Sequence, residues 1–240
     1  MTSDKGTGPL LLAIETTGSA CSVAIGRGTE MLAAERRAMR YGHGEALLPM
    51  IDRVFGIAAL CRSALDGVAV AVGPGGFTGI RVGLGAAHGI ALAVDARLIG
   101  ITSFAAVAAC LPSASRIVLV ALDSRREDLY VQLFDGATAE PLAEPAAVLP
   151  QNLAGYVGAS VSGGPVLVAG DMAETARTAL GGHFDVELAS GSSPDARGVL
   201  LAVSRQAERG ARLDPARALY LRPPDVTLPK TRRPFTPAQQ

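Results

Sequence analysis

The sequence predicts an α/β protein of two related lobes, and three features carry that expectation. Apolar strand-like runs alternate with helical ones along the chain, which is the pattern of mixed sheets covered by helices. One hairpin plan occurs twice: residues 10–14 and 20–25 are apolar runs around a hydroxyl-rich turn, and residues 116–122 and 129–134 are apolar runs around a second polar turn. In both copies an acidic residue ends the first run, Glu15 or Asp123, and a hydroxyl residue follows, Thr16 or Ser124. Such self-similarity is the mark of a duplicated architecture, although any two hairpins share part of it. Finally, residues 68–94 read as a buried strand, a glycine turn and a helix with one face of small side chains.

Taken in order, the first hairpin ends at Gly26-Arg27-Gly28, and a helix follows over residues 45–60. Leu47, Ile51, Val54 and Ala58 lie on one of its faces with Leu48 and Phe55 beside them, and Pro49 falls at or just after the first turn, where N–H groups lack intrahelical partners. A buried strand spans residues 68–72, and the helix at 78–94 has Thr78 as its expected N-cap. A strand near 98–101 and an alanine-rich helix at 103–110 complete the first lobe. Leu111-Pro112-Ser113-Ala114-Ser115 breaks the pattern, so the expected lobes are residues 8–112 and 113–222. The second continues through a strand at 166–169, Gly170-Asp171, a helix at 173–180 and another at about 195–209, and its last segment is free to pack back on the first lobe. Residues 223–240 are rich in proline and basic groups without periodicity, a disordered tail by composition.

Composition narrows the classes of function. A chain of 240 residues, 49% hydrophobic, buries roughly 70% of its unfolded surface on folding. Lys plus Arg and Asp plus Glu are equal at 22 each, so no overall field favours nucleic acid or membrane, and any RNA contact is local or made by a partner. The first nine residues are polar and no apolar run reads as the 18 or so residues of a membrane span, which points to the cytoplasm and away from membranes. Cys21, Cys61 and Cys110 are far apart in apolar or small-residue settings, unlike a disulfide framework or a zinc spacing, and are expected to be structural.

The string Gly73-Pro74-Gly75-Gly76-Phe77-Thr78-Gly79 leaves a strand, turns on glycines and opens a helix, a geometry able to cradle a phosphate. It is neither a Walker A loop, since no Lys-Ser or Lys-Thr follows, nor a dinucleotide fingerprint, since Thr78 stands where the third glycine belongs. Gly79, Gly83, Gly85 and Gly89 lie within eleven residues, and an interior helix glycine costs roughly 1 kcal/mol against alanine. Gly79, Gly83 and Ala86 share a face that another backbone can approach closely, either this chain's own sheet or a second protein. His43, His88 and His183 have no metal-ligand spacing, so no metal site is expected. No Gly-x-Ser-x-Gly elbow or cysteine in a polar setting supplies a nucleophile. Glu15 and Asp123 have two open readings: carboxylates holding a hydrated cation or phosphate between lobes, or turn caps.

Three strings together carry a family resemblance: Leu12-Ala13-Ile14-Glu15-Thr16-Thr17 with Ala20-Cys21-Ser22-Val23-Ala24, then His43-Gly44-Glu45-Ala46-Leu47-Leu48-Pro49-Met50-Ile51, then Phe77-Thr78-Gly79-Ile80-Arg81-Val82-Gly83. In order and spacing they resemble the bacterial TsaB (YeaZ) family, with weaker agreement at Asp123-Ser124-Arg125, Tyr130, Gly170-Asp171 and Leu219-Tyr220-Leu221-Arg222. The resemblance implies two duplicated RNase H-like lobes, the fold of actin, Hsp70 and sugar kinases. It implies a non-catalytic subunit that pairs with the transferase TsaD, and with the ATPase TsaE, to install threonylcarbamoyl on the adenosine beside the anticodon of tRNAs reading codons that begin with A. The catalytic relative has a pair of histidines on the helix where this chain has only His43 just before it. By the same match, the partner interface comprises His43, Glu45, Leu47, Leu48, Ile51, Phe77, Thr78, Gly79, Arg81, Val82, Gly83 and Ala86, with homodimerisation an expectation for the chain alone. Nucleotide or phosphate contacts fall on Glu15, Thr16, Thr17, Asp123, Gly170 and Asp171; ATP or ADP and a divalent cation are expected in the complex, none in the subunit itself. Glu15 stands where the family usually has Asp, and Gly44 where it has Ser, which removes an expected helix cap. The competing expectations are a stand-alone ATP-dependent kinase of the same fold and, with no metal pair or activated nucleophile to support it, a protease.

Overall fold

The computed structural model describes residues 8–161, 164–189 and 192–222. The tail expected to be disordered, 223–240, lies outside the described residues.

Two five-stranded sheets are built on one plan. In the first, β1 (Leu10–Glu15) is central, with β2 (Ala20–Arg27) and β3 (Glu30–Ala38) antiparallel on one side and β4 (Gly67–Ala71) and β5 (Arg97–Ile101) parallel on the other. In the second, β6 (Ile117–Asp123) is central, flanked by β7 (Leu129–Asp135) and β8 (Ala146–Val148) and by β9 (Val166–Ala169) and β10 (Val186–Leu188). The order 3-2-1-4-5 and every strand direction therefore repeat, so the lobes are duplicated RNase H-like units. The short strand β8, the strand β10 and β3 escape a sequence reading, because three residues carry too little alternation and Glu30–Ala38 is half charged.

Helices cover both faces of each sheet. On the first sheet, α1 (His43–Ala58) and α2 (Phe77–Val94) pack with Leu10, Leu12 and Ile14, while Leu11 and Ala13 of the same strand face α3 (Ser103–Ala109) and α6 (Ala196–Glu208). That alternation is the period-2 pleat of a strand buried on both sides. On the second sheet, Leu119 and Ala121 face α4 (Leu153–Gly158) and α5 (Ala173–Leu180), and Val118, Val120 and Leu122 face Phe104, Val107 and Leu111. The short helix α3 thus separates the sheets, giving Ala106 and Ala109 to one core and Phe104 and Val107 to the other. It starts sharply because Thr102 Oγ1 accepts from the Ala105 N–H at 3.0 Å, the side-chain cap that serine and threonine provide. Against it α6 lies so close that a Cβ on Gly198 would overlap the Ala106 carbonyl oxygen.

Several expectations need correction. The N-cap of α2 is Gly76, and Thr78 is an exposed second residue making no cap hydrogen bond. The N-cap of α1 is Gly42, held at φ 84°, so Gly44 lies inside the helix and its serine counterpart would not cap it. Pro49 is the seventh residue of α1, past the first turn; the bond it cannot make leaves the Glu45 carbonyl, on the exposed side, to solvent. Finally, α2 is 18 residues with a mean hydropathy of 1.4, long and apolar enough by those measures to cross a bilayer. Its isoleucines, valines, leucines and alanines carry that value, and Gly79, Ile80, Gly83, Ala87 and Ala91 bury one face of it against the sheet.

Candidate functional site

The C-terminal ends of the central strands bring four turns together between the lobes: 15–19, 73–76, 123–128 and 170–171. They are related in pairs. Glu15 Oε1 accepts from the Thr17 N–H at 2.6 Å, and Asp123 Oδ1 accepts from the Arg125 N–H at 2.6 Å, the same i to i+2 turn in each copy. Gly73 after β4 and Gly170 after β9 hold φ 106° and 109°, conformations that only glycine adopts freely.

In the first lobe the turn is consumed internally. Glu15, Thr16 and Thr17 are buried. Thr17 Oγ1 donates to Glu15 Oε1 at 2.5 Å and lies 2.8 Å from Ser103 Oγ; Thr16 Oγ1 donates to the Gly79 carbonyl at 2.8 Å. The Gly76 N–H donates to the Thr17 carbonyl at 2.7 Å, so this donor of the glycine loop faces the protein itself. Burial pushes the Glu15 carboxyl up to about 7 against the lowering effect of Thr17, and its Oε2 meets no donor. A carboxyl so enclosed does not present itself to a hydrated cation, and Glu15, Thr16 and Thr17 do not fit a nucleotide-holding role.

The second lobe leaves its polar groups more accessible. Asp123 is exposed, and its N–H donates to Asp171 Oδ1 at 3.0 Å. Burial raises the Asp171 pKa, and the Asp123 charge adds to that. Asp123, Asp171 and Arg125 border a cleft of about 30 Å³ against Thr17 and Gly75, room for about one water. Asp171 and Gly170 also line a cavity of about 860 Å³, with Arg36, Glu174 and Asp195 on its walls; that volume matches small-molecule sites. No group of three or more potential metal ligands occurs among the described residues.

The candidate partner residues divide by burial. His43, Leu47 and Ile51 are buried in the core under α1, and burial lowers the His43 pKa. Gly79 and Gly83 are buried too: a Cβ on Gly79 would overlap the Thr16 carbonyl oxygen, and one on Gly83 would lie 2.5 Å from Thr16 Oγ1. Their face is the intramolecular one, which corrects its assignment to a partner. Phe77, Val82 and Ala86 are half-buried, while Glu45, Leu48, Thr78 and Arg81 are exposed. The outer face of α2 carries Gly85 and Gly89, which the sequence marks as costly but assigns to no surface, and Leu92, which a sequence reading passes over. A Cβ on either glycine would meet nothing within 4 Å, and Leu92 is 86% exposed. Beside them α1 runs close, where a Cβ on Gly44 would lie 3.9 Å from Val82, with Leu48 55% exposed.

The cysteines also differ from expectation. Cys21 is buried and its thiol is pushed up to about 11 by burial, but Cys61 is exposed and a hydrogen bond from Ser63 lowers its pKa. Cys110 borders the large cavity.

The family model for "TsaD: tRNA N6-adenosine threonylcarbamoyltransferase" matches residues 37–187. The tRNA threonylcarbamoyladenosine biosynthesis protein TsaB of Haemophilus influenzae is 37% identical over 123 residues, covering 50% of this chain and 51% of that protein. The chain thus spans about half the length of the first curated relatives it matches. An uncharacterized protein of Mycobacterium tuberculosis is 30% identical over 220 residues, covering 90% of this chain and 93% of its own length. Among solved structures, YeaZ from Pseudomonas aeruginosa superposes with a TM-score of 0.74 at 23% identity, covering 89% of this chain and all of that one, a likeness of fold.

Proposed function

Because the chain belongs to the TsaB (YeaZ) family, we propose that it serves in tRNA threonylcarbamoyladenosine formation as the non-catalytic subunit that binds and activates a TsaD-type transferase. The substrate of the complex is the adenosine next to the anticodon in tRNAs reading codons that begin with A, a TsaE-type ATPase is its further member, and the cytoplasm is its place of work. One observation carries the reading. The outer face of α2 offers Leu92 beside Gly85 and Gly89, Leu48 is exposed on the neighbouring α1, and nothing among the described residues uses the room those glycines leave. Exposed apolar side chains beside side-chain-free backbone allow a partner helix to approach closely. ATP or ADP and a divalent cation belong to the complex in this proposal, with Asp123, Gly170 and Asp171 as this chain's contribution.

The experiment is co-purification with the cognate TsaD-type subunit, followed by tRNA modification assays omitting one component at a time. Gly89→Leu and Leu92→Glu should each weaken the pairing at least about tenfold, the effect of losing roughly 1.4 kcal/mol, with an unchanged far-UV dichroism spectrum. Unchanged affinity in both would refute this surface. Full modification activity with this chain omitted would refute the function, and ATP turnover by the isolated chain would favour the kinase-like alternative.

A further inference from the structure

A second surface lies where the two lobes meet the C-terminal segment. A groove of about 210 Å³ runs between the start of α2, the 124–126 turn and residues 219–222. Among the described residues its charged lining is all of one sign: Arg125, Arg126 and Arg222. Asp123 turns its Oδ1 back to the Arg125 N–H, and Asp128, buried below, pairs with Arg222 at 2.6 Å; Asp123 and Glu127 are the exposed carboxylates of the same turn. Arg125 is held at φ 62°, a left-handed conformation that costs a non-glycine residue free energy. In it the guanidinium lies against Gly76, 3.1 Å from where a Cβ there would stand.

The rim is aromatic. Phe77 and Tyr220 meet tilted by 39° with centroids 5.3 Å apart, Arg81 sits over the half-buried Phe77 ring at 3.8 Å, and Tyr220 is 40% exposed. Cations interleaved with exposed rings are the means by which proteins hold unpaired nucleotides, phosphates on the guanidinium groups and bases on the π faces. The volume is below the roughly 300 Å³ at which small-molecule pockets begin, which favours a strand laid along the groove over an enclosed nucleotide. We infer that this arginine and aromatic groove contacts single-stranded RNA directly, namely an unpaired loop of the tRNA substrate. The inference rests on the tRNA-modification reading and adds to it a direct RNA contact by this subunit, local enough to coexist with zero net charge.

The test is fluorescence anisotropy of an end-labelled, unmodified tRNA transcript with the full chain, at about 50 mM salt and above. Arg125→Gln with Arg126→Gln should lower affinity at least about tenfold and reduce the slope of log affinity against log salt by about 1 to 2, while Tyr220→Ala lowers affinity without changing that slope. The charge-matched control is Arg97→Gln with Arg212→Gln, two exposed arginines at a separate surface depression, which should change affinity less than about twofold. Absence of tRNA binding by the full chain, a groove variant equal to wild type, or an equal loss in the control overturns the inference. Because activation of the transferase subunit is measured separately, such a result leaves the proposed function standing; failure of that activation strikes the function instead.

Discussion

Replacing Glu15 by Gln should flatten the pH dependence of stability. The carboxyl is fully buried and its pKa is raised from 4.5 to about 7. Burial is the main cause, Asp195 adds to it, and Cys21 beside it carries a thiol pushed up to about 11. A carboxyl with a raised folded pKa keeps its proton in the native state over a range where the unfolded chain has released it. Its balance is therefore intact below about 4.5 and is lost as pH climbs through about 7, at about 1.4 kcal/mol per pH unit while only the unfolded form is ionised. Between pH 5 and pH 8 this amounts to roughly 2–3 kcal/mol, most of it below pH 7. Urea midpoints at several pH values, with the slope m held common, give the two curves. Glu15→Gln keeps an acceptor for the Thr17 N–H and hydroxyl but cannot ionise, so the difference between variant and wild type should grow toward alkaline pH. Parallel curves would refute the reasoning, because they would mean that Glu15 is solvated or paired when charged.

The remaining outcomes are specific to other parts of the fold. Gly79→Ala and Gly83→Ala should each cost about 2 kcal/mol or more, since the added methyl meets Thr16 with no room to move; Gly85→Ala and Gly89→Ala, in open space, should each stabilise by about 0.5–1 kcal/mol. Thermal melts of the four variants test both, and an equal response across the set would contradict the assigned faces. Arg222→Ala should cost roughly 2–3 kcal/mol, because it strands the Asp128 carboxylate, 2% exposed, without its cation; a Tm unchanged from wild type would show that water reaches Asp128.

The duplicated lobe plan was legible in the sequence because its signals are local: alternation, a turn and an acidic strand end at 10–25 and again at 116–134. The helix at Ala173–Leu180 and the one at Ala196–Glu208 carry clear periodicity for the same reason. What was not legible depends on contacts far along the chain. Gly198 is small because of Ala106, and Gly170 because of Ala121, separations that no spacing rule spans. The roles of Glu15, Thr16 and Thr17 stayed open between ligand and turn cap for the same reason, since an acidic residue with two hydroxyls fits both until Ser103 and Gly79 are found to occupy them.

The four glycines of α2 show why composition located the region but not the surface. At 100° per residue Gly79 and Gly83 fall on one side and Gly85 and Gly89 on the other, and a count of small residues cannot say which side meets the sheet. The first pair is explained once Thr16 is in place. The second pair still costs about 1 kcal/mol per glycine relative to alanine, with no neighbour among the described residues to account for it. That uncompensated cost, beside a leucine 86% exposed, is the physical argument for a second polypeptide against the outer face of α2. It places the demand for close approach on the helix face opposite to the one that sequence spacing alone would choose.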